Sequence, residues 1–279
     1  MSENSRPWTK ERIHDATVEL SNLVQRTYMN SISIRAVGDH RPLMPLLPHD
    51  HPLNITRDSV VHRVGSVNFH LKWMYELIAI YDRDASKNPK KHLREHVVRN
   101  VSYILEDVFF NLGSTFDYIA GFAAYIVTRD FSFIGKDWDE VLSTIKKGQR
   151  QEELGQSDMA DFTRNLLRHK RFIKEFLGQE TIARQVLRYR AEVYHDLFDD
   201  GVDSDAKWLV VYIAVPIVIN PPPKMLASFS SFINDKMIIQ ESCQAVIGAS
   251  YQAIYQILSA LNADCVELNT MPELKIQEH

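Results

Sequence analysis

The amino-acid sequence predicts a mainly α-helical protein, a multi-helix bundle that forms one domain from residue 1 to 279 and carries a small β element. Three observations support this fold class. Apolar residues recur at helical spacing in most long segments. Hydrophobic residues make up 45% of the chain and charged residues 24%, the usual mix for a chain with a sizeable core. Little of the sequence alternates as strands do, so a helical bundle is the expected architecture.

Seven helices are predicted in chain order. Thr56 fits the N-cap of the second helix, and the third is apolar on most sides from 108 to 127, which favours a central position in the bundle. The charged segment 146–153 is interpreted as a solvated connection, and the residues from about 269 onward as a polar tail. The predicted helices span residues 9–29, 56–81, 92–127, 137–147, 157–176, 180–198 and 234–261.

Two kinds of segment depart from the helical pattern. Residues 208–219 are rich in β-branched side chains, although Pro216 confines a strand there to a sheet edge or to two short pieces. A second candidate strand lies at 32–37. Residues 38–56 are predicted to be a proline-rich loop, because four prolines remove backbone donors and disfavour helix: Pro42, Pro45, Pro48 and Pro52.

Composition excludes several classes of protein. A net charge of −4 does not favour binding to DNA through a broad basic surface. No apolar run reaches the roughly 20 residues of a membrane span. Cys243 and Cys265 fit no zinc spacing and are too few for a disulfide scaffold, which indicates free thiols in a reducing cytoplasm. No phosphate-binding glycine loop or dinucleotide fingerprint is present, so neither a cofactor nor a metal is expected.

One short segment carries a set of residues that could perform chemistry. Arg188, Arg190, Glu192 and His195 lie within two turns of a predicted helix. Arg188 and His195 share nearly the same face, whereas Arg190 and His195 diverge by about 140° on an ideal helix. Histidine can exchange a proton with a ribose hydroxyl or a leaving oxygen, and arginine can hold a phosphate. Together they form a minimal set for metal-free RNA cleavage.

The spacings Arg190-x4-His195 and Arg188-x6-His195 resemble the signature of the HEPN superfamily. The helix that contains Asn111, Ser114 and Asp117 also resembles the core helix of those proteins. The resemblance implies a helical bundle, frequently a homodimer, in which the arginine and histidine of each subunit meet at the interface. It implies RNA as the substrate of a metal-independent endoribonuclease, with a protein partner such as an antitoxin, or a member that has lost catalysis and only binds.

A structural interpretation of the same residues stays open. Arg188 and Arg190 could pair with Glu192 or other acidic neighbours on a solvated helix face. His195 would then be a residue near the helix C-terminus, where the helix dipole favours a cation. On that interpretation the chain is a non-catalytic bundle protein that acts by protein–protein association.

Two groups of residues are alternative candidates for a metal site. Glu192 and His195 have the Glu-x-x-His spacing of ferritin-like di-metal bundles, but such a site needs a second pair that this sequence lacks. The loop holds a second cluster whose imidazole and carboxylate groups suit a transition metal, although such loops are also commonly just solvated. That cluster consists of His40, His49 and His51 with Asp39 and Asp50.

Asp117 lies in the most apolar predicted helix. A buried carboxylate needs a partner or a raised pKa. We expect a hydrogen bond to a neighbouring helix, or an ion pair with an arginine such as Arg99, rather than a functional role.

Overall fold

The computed structural model of the protein describes residues 8–32, 49–85, 91–156, 161–187 and 236–270. This part of the chain is mainly helical, which confirms the mainly α character of the predicted fold class, and no strand occurs in it. The helices are α1 (Lys10–Ile32), α2 (Pro52–Ala85), α3 (Lys91–Thr128), a 3-10 turn (Phe131–Phe133), α4 (Trp138–Glu153), α5 (Asp161–Leu167), α6 (Lys170–Gly178), α7 (180–187) and α8 (Lys236–Thr270).

The predicted β element gains no support from the structure. Residues 208–219 and 33–37 lie outside the described residues, and Ile32 is the last residue of α1. The described helices also include none that is long and apolar enough to cross a membrane.

The predicted start of α2 at Thr56 is wrong, because the helix already begins at Pro52. Proline is compatible with the first helical position, since the N–H that it lacks would have no partner inside the helix. The Thr56 hydroxyl donates to the Pro52 carbonyl at 2.8 Å within the helix. His51 stands in the capping position instead, and its Nδ1 accepts from the Leu53 N–H at 3.1 Å.

The segment 146–153 is helical and not a solvated connection, because α4 continues to Glu153. Ile145 and Gly148 are buried, so the second half of α4 still packs against a neighbour. A Cβ at Gly148 would lie 3.1 Å from the Thr163 methyl carbon of α5. At its other end α4 begins with a capping box, in which Asp137 and Glu140 each accept from the other's backbone N–H.

The single helix predicted over 157–176 is also wrong, because the chain breaks at Arg168 and His169 between α5 and α6. The break is stabilised from α8: Asp264 accepts from the Phe172 N–H at 2.9 Å and so caps the first turn of α6. Helix α8 itself extends to Thr270, so the first residues of the predicted tail are helical.

The chain divides into two compact units. Unit 1 comprises Met1–Thr17, Arg63–Ser114 and Thr181–Gln252, and unit 2 comprises Val18–His62, Thr115–Glu180 and Ala253–His279. Helices α1, α2, α3 and α8 each contribute residues to both units. The core of unit 1 includes Val67, Leu71, Val108, Leu112 and Ile247, and that of unit 2 includes Leu20, Phe122, Trp138, Phe176 and Leu258.

Candidate functional sites

The four residues of the predicted nuclease site lie outside the described residues: Arg188, Arg190, Glu192 and His195. The described part of α7 covers residues 180–187, so its last described residue directly precedes Arg188. The Arg/His site therefore stays a prediction.

The histidine-rich loop is described only in part, since His40 and Asp39 lie outside the described residues. His51 uses its Nδ1 to cap α2, and its ring packs 5.4 Å from Phe131 and 6.2 Å from Tyr125, measured between centroids. Within the described ranges, no group of three or more histidine, cysteine, aspartate or glutamate side chains could hold a metal ion.

Asp117 has the structural role expected of it. Its Oδ1 accepts a hydrogen bond from the Trp138 N–H at 3.2 Å, which links α3 to the first residue of α4. The predicted hydrogen bond to a neighbouring helix is thereby confirmed. Asn111 is likewise engaged, because its amide donates to the Asp107 carbonyl and accepts from Arg63 Nη1 at 3.0 Å.

Among the described side chains of α2 and α3, four aromatic ones in unit 1 are exposed, and we call them the aromatic surface. Phe69 and Trp73 are one turn apart on α2, with 61% and 46% of each residue exposed. Tyr103 and Phe110 are two turns apart on α3, with 47% and 42% exposed. Residues four or seven apart share one helix face, so each pair forms a stripe.

Direct contacts connect the two stripes. His70, whose ring lies 5.4 Å from that of Phe69 and 6.5 Å from that of Trp73, places its Nε2 3.5 Å from an Asp107 carboxylate oxygen on α3. The Arg63 guanidinium stands over the Phe110 ring, 5.1 Å from its centroid. The surface therefore combines aromatic rings with groups of both charges.

The sequence did not reveal this surface, although all four aromatic residues fall within predicted helices. Both faces of α2 carry apolar residues: Val60, Val64, Val67 and Leu71 are buried, whereas Phe69 and Trp73 are exposed. Periodicity identifies a helix but does not state which of two apolar stripes the neighbouring helices cover.

Unit 2 contains a second feature, at the end of α3. Arg129 directly follows the last residue of α3. Its backbone φ is 60°, a left-handed conformation that residues other than glycine rarely adopt. Its N–H donates to the Tyr125 carbonyl at 2.8 Å, and its Nη2 donates to the Ser31 carbonyl in the last turn of α1 at 2.8 Å. Its Nη1 is buried and has no hydrogen-bond partner among the described residues.

His169, between α5 and α6, is only 4% exposed. Its Nδ1 lies 3.0 Å from the Asn165 carbonyl, and its Nε2 is buried without a hydrogen-bond partner in the described part of the chain. The pKa of His169 is lowered to about 4, mainly by burial and also by the nearby charges of Arg129 and Arg168, against the opposing effect of the Asn165 hydrogen bond. The imidazole is therefore neutral at physiological pH. Because a carbonyl only accepts, Nδ1 carries the proton and Nε2 is an acceptor.

Two described side chains that interact electrostatically with Arg129, those of Cys265 and Tyr125, are uncharged at neutral pH. Burial raises the pKa of the Cys265 thiol to about 12, against the opposing effect of Arg129. Burial also raises the pKa of Tyr125, so both neighbours of the guanidinium keep their protons. Among the described residues, Arg129 forms no ion pair with a carboxylate.

The chain as a whole matches no family model, no curated protein and no solved structure.

Proposed function

We propose that this chain is a helical protein that acts by binding another protein chain through the aromatic surface of α2 and α3. The observation that carries the proposal is the group of four large aromatic side chains that are 42–61% exposed and lie on two adjoining stripes. Apolar surface in water costs about 25 cal/mol per Å². Contiguous exposed patches of this kind are typical of interaction sites, where aromatic residues are enriched.

Nucleic acid is the less favoured partner for this surface. Aromatic rings with arginine can stack on bases, but such sites also need a basic groove for the phosphates. Here Asp107 lies between the stripes, and the pKa of Glu106 is raised by partial burial and by the Asp107 charge. An incoming phosphate would meet these carboxylates on a chain of net charge −4.

The partner that the surface fits is a second copy of this chain. In a two-fold interface both subunits use the same patch. If one residue contacts a second residue of the partner, that second residue contacts the first one in return, so the patch must be complementary to itself. The presence of both charges on the aromatic surface supports such pairing, because the Arg63 cation stands over Phe110 and Asp107 keeps 55% of its side chain exposed. A two-fold axis near His70 would bring the cation of one subunit towards the acid of the other.

The area of the patch is compatible with a dimer. An aromatic side chain buries about 150–250 Å², so four half-exposed rings would contribute about 400 Å² per subunit. A stable interface needs about 800 Å² from each partner. The rings would supply about half of that area as a central apolar patch, and the polar rim would supply the rest.

Sedimentation velocity over a range of protein concentrations tests the proposal. We expect the wild type to form a dimer at micromolar concentration and the double variant Phe69→Ser/Trp73→Ser to remain a monomer. The matched control is Phe131→Ser in unit 2, because Phe131 is 58% exposed and also contacts a histidine and another aromatic ring. The control should dimerise like the wild type, and circular dichroism should show equal helix content in all three proteins.

A monomeric wild type at these concentrations would contradict the proposal. So would a folded double variant that dimerises as tightly as the wild type.

The second candidate function is the metal-independent endoribonuclease that the HEPN resemblance implies. It is favoured by the spacing of Arg188 and Arg190 from His195, and a mainly helical fold is compatible with it. In this hypothesis arginine holds the phosphate, His195 transfers the proton and Glu192 helps to orient the arginines. RNA would be the substrate, an antitoxin-like protein a further partner, and the cytoplasm the expected location. The β element at 208–219 stays a prediction alongside it.

Incubation of the purified protein with single-stranded RNA in excess chelator tests this second function. We expect cleavage by the wild type, a loss of at least about 100-fold in rate for His195→Ala, and an unchanged rate for the exposed control His49→Ala. No cleavage by the wild type, or equal cleavage by His195→Ala, would reject the nuclease and would leave the dimer proposal untouched.

A further inference from the structure

Unit 2 holds a buried donor, Arg129 Nη1, and a buried acceptor, His169 Nε2, that the described residues leave unsatisfied. The two side chains are near enough for the charge of Arg129 to lower the pKa of His169. Arg129 Nη1 can only donate, and the neutral His169 can only accept at Nε2. An unmade hydrogen bond at a buried polar atom costs about 1–3 kcal/mol, so buried polar atoms are normally paired. Arg129 Nη1 and His169 Nε2 are one donor and one acceptor, and the charge of one affects the other, which indicates a group that both could bind.

A second nitrogen of each side chain is held in place by a backbone carbonyl. Ser31 at the end of α1 fixes Arg129 Nη2, and Asn165 at the end of α5 fixes His169 Nδ1. Arg129 also keeps a left-handed backbone conformation that costs free energy. Its guanidinium is only partly exposed, and no carboxylate of the described residues neutralises it. A buried cation of this kind is stabilised by an anion.

We propose that Arg129 and His169 form a binding site for a small oxyanion that retains at least one O–H group, with protonated inorganic phosphate as the simplest example. An anionic oxygen of the ligand accepts from Arg129 Nη1, and the O–H of the ligand donates to His169 Nε2. The same two contacts fit a phosphate monoester that carries one proton. A fully deprotonated anion would satisfy Arg129 and leave His169 without a donor. The site lies in unit 2 and does not depend on the aromatic surface of unit 1.

A comparison of the affinities for phosphate and sulfate distinguishes this site from unspecific binding of anions. Sulfate has a similar shape but no proton to donate. Calorimetric titration of the whole chain with each anion, at equal ionic strength and about pH 6, compares the two. At that pH phosphate keeps an O–H group, and His169 is still neutral. We expect phosphate to bind at least about tenfold more tightly than sulfate, because a site built to pair with an O–H rejects the analogue that lacks it.

A pair of substitutions at position 169 isolates the acceptor. His169→Asn can keep the hydrogen bond to the Asn165 carbonyl through its amide nitrogen, but it places no acceptor at the Nε2 position. It should remove the preference for phosphate over sulfate. The control His62→Asn replaces an exposed histidine of α2 and should bind phosphate like the wild type. Arg129→Lys keeps the positive charge but loses the guanidinium fork, and it should weaken both anions together.

Equal binding of phosphate and sulfate by the wild type would overturn the proposal, as would the absence of binding by either anion at millimolar concentration. The second result would mean that the two atoms are satisfied by solvent alone. If His169→Asn does not fold, the comparison of the two anions on wild type and Arg129→Lys still decides the question.

Discussion

At the scale of single residues, burial determines which side chains can ionise. Cys243, Cys265 and Tyr251 are buried, and the desolvation of the charged form raises the pKa of each. The same effect lowers the pKa of His169, because there the charged form is the protonated one. The sequence pattern draws attention to other histidines, at 40, 49, 51 and 195, because the burial of His169 cannot be read from the identity of an isolated residue.

The lowered pKa of His169 predicts a stability that decreases in acid. The unfolded chain protonates this histidine near 6.5, whereas the folded chain resists protonation until about 4. Between these values the unfolded state binds more protons, so the free energy of unfolding falls as the pH drops from 6.5 to 4. The contribution from this residue is about 3 kcal/mol.

Urea unfolding of the wild type and of His169→Asn at both ends of this pH window measures the effect. The variant should lose about 3 kcal/mol less stability than the wild type over the window. The exposed control His62→Asn should follow the wild type. Identical pH dependence in wild type and His169→Asn would show that His169 is not held neutral in the folded state.

At the scale of helices and turns, glycine allows one close approach in unit 2. The Gly121 position in α3 faces the turn after the 3-10 segment, where a Cβ would lie 3.2 Å from the Lys136 carbonyl oxygen and 3.3 Å from that of Phe133. These are backbone atoms, which cannot move aside as the end of a side chain can. The apolar pattern of this segment predicts a central helix, and the structure shows that the turn at residues 133–136 packs against it.

We expect Gly121→Ala to destabilise the protein by about 1–3 kcal/mol, since the added methyl group must displace backbone. The matched variant is Gly65→Ala in α2, where nothing lies within 4 Å of the new Cβ. That variant should stabilise the protein by about 0.5–1 kcal/mol, because alanine favours helix over glycine. Chemical denaturation compares both with the wild type, and a neutral or stabilising effect of Gly121→Ala would contradict the packing described.

Some helix boundaries could be predicted and others could not. The pattern of α3 extends over its whole length, and the predicted span 92–127 differs from Lys91–Thr128 by one residue at each end. The break at His169 has no glycine or proline to mark it. It depends on Asp264, which caps α6 from a position 92 residues further along the chain than Phe172. Local sequence contains no information about such a distant partner.

At the scale of the whole molecule, the two cysteines report separately on the two units. Cys243 lies in the core of unit 1 and Cys265 in that of unit 2. Burial raises the pKa of both thiols to about 12, so the folded protein should resist thiol reagents. Labelling in increasing denaturant, followed by mass spectrometry of the two peptides, measures the unfolding of each unit.

We expect both cysteines to become reactive at the same denaturant concentration. Four helices, α1, α2, α3 and α8, contribute residues to both units. Unfolding of one unit would therefore unwind part of four helices whose other part belongs to the second unit. Two separate labelling midpoints would contradict the single domain predicted for residues 1–279, and coincident midpoints would support it.

The sequence by itself determined that this chain is built from helices and placed most of them, because apolar periodicity is a local property that survives in every tertiary arrangement. It also singled out Asp117 as a carboxylate that needs a partner. Only the tertiary structure decided which apolar stripes are covered and which unpaired polar atoms are buried. That is why Phe69 and Trp73 form an exposed surface, and why Arg129 and His169, far apart in the sequence, form one candidate site.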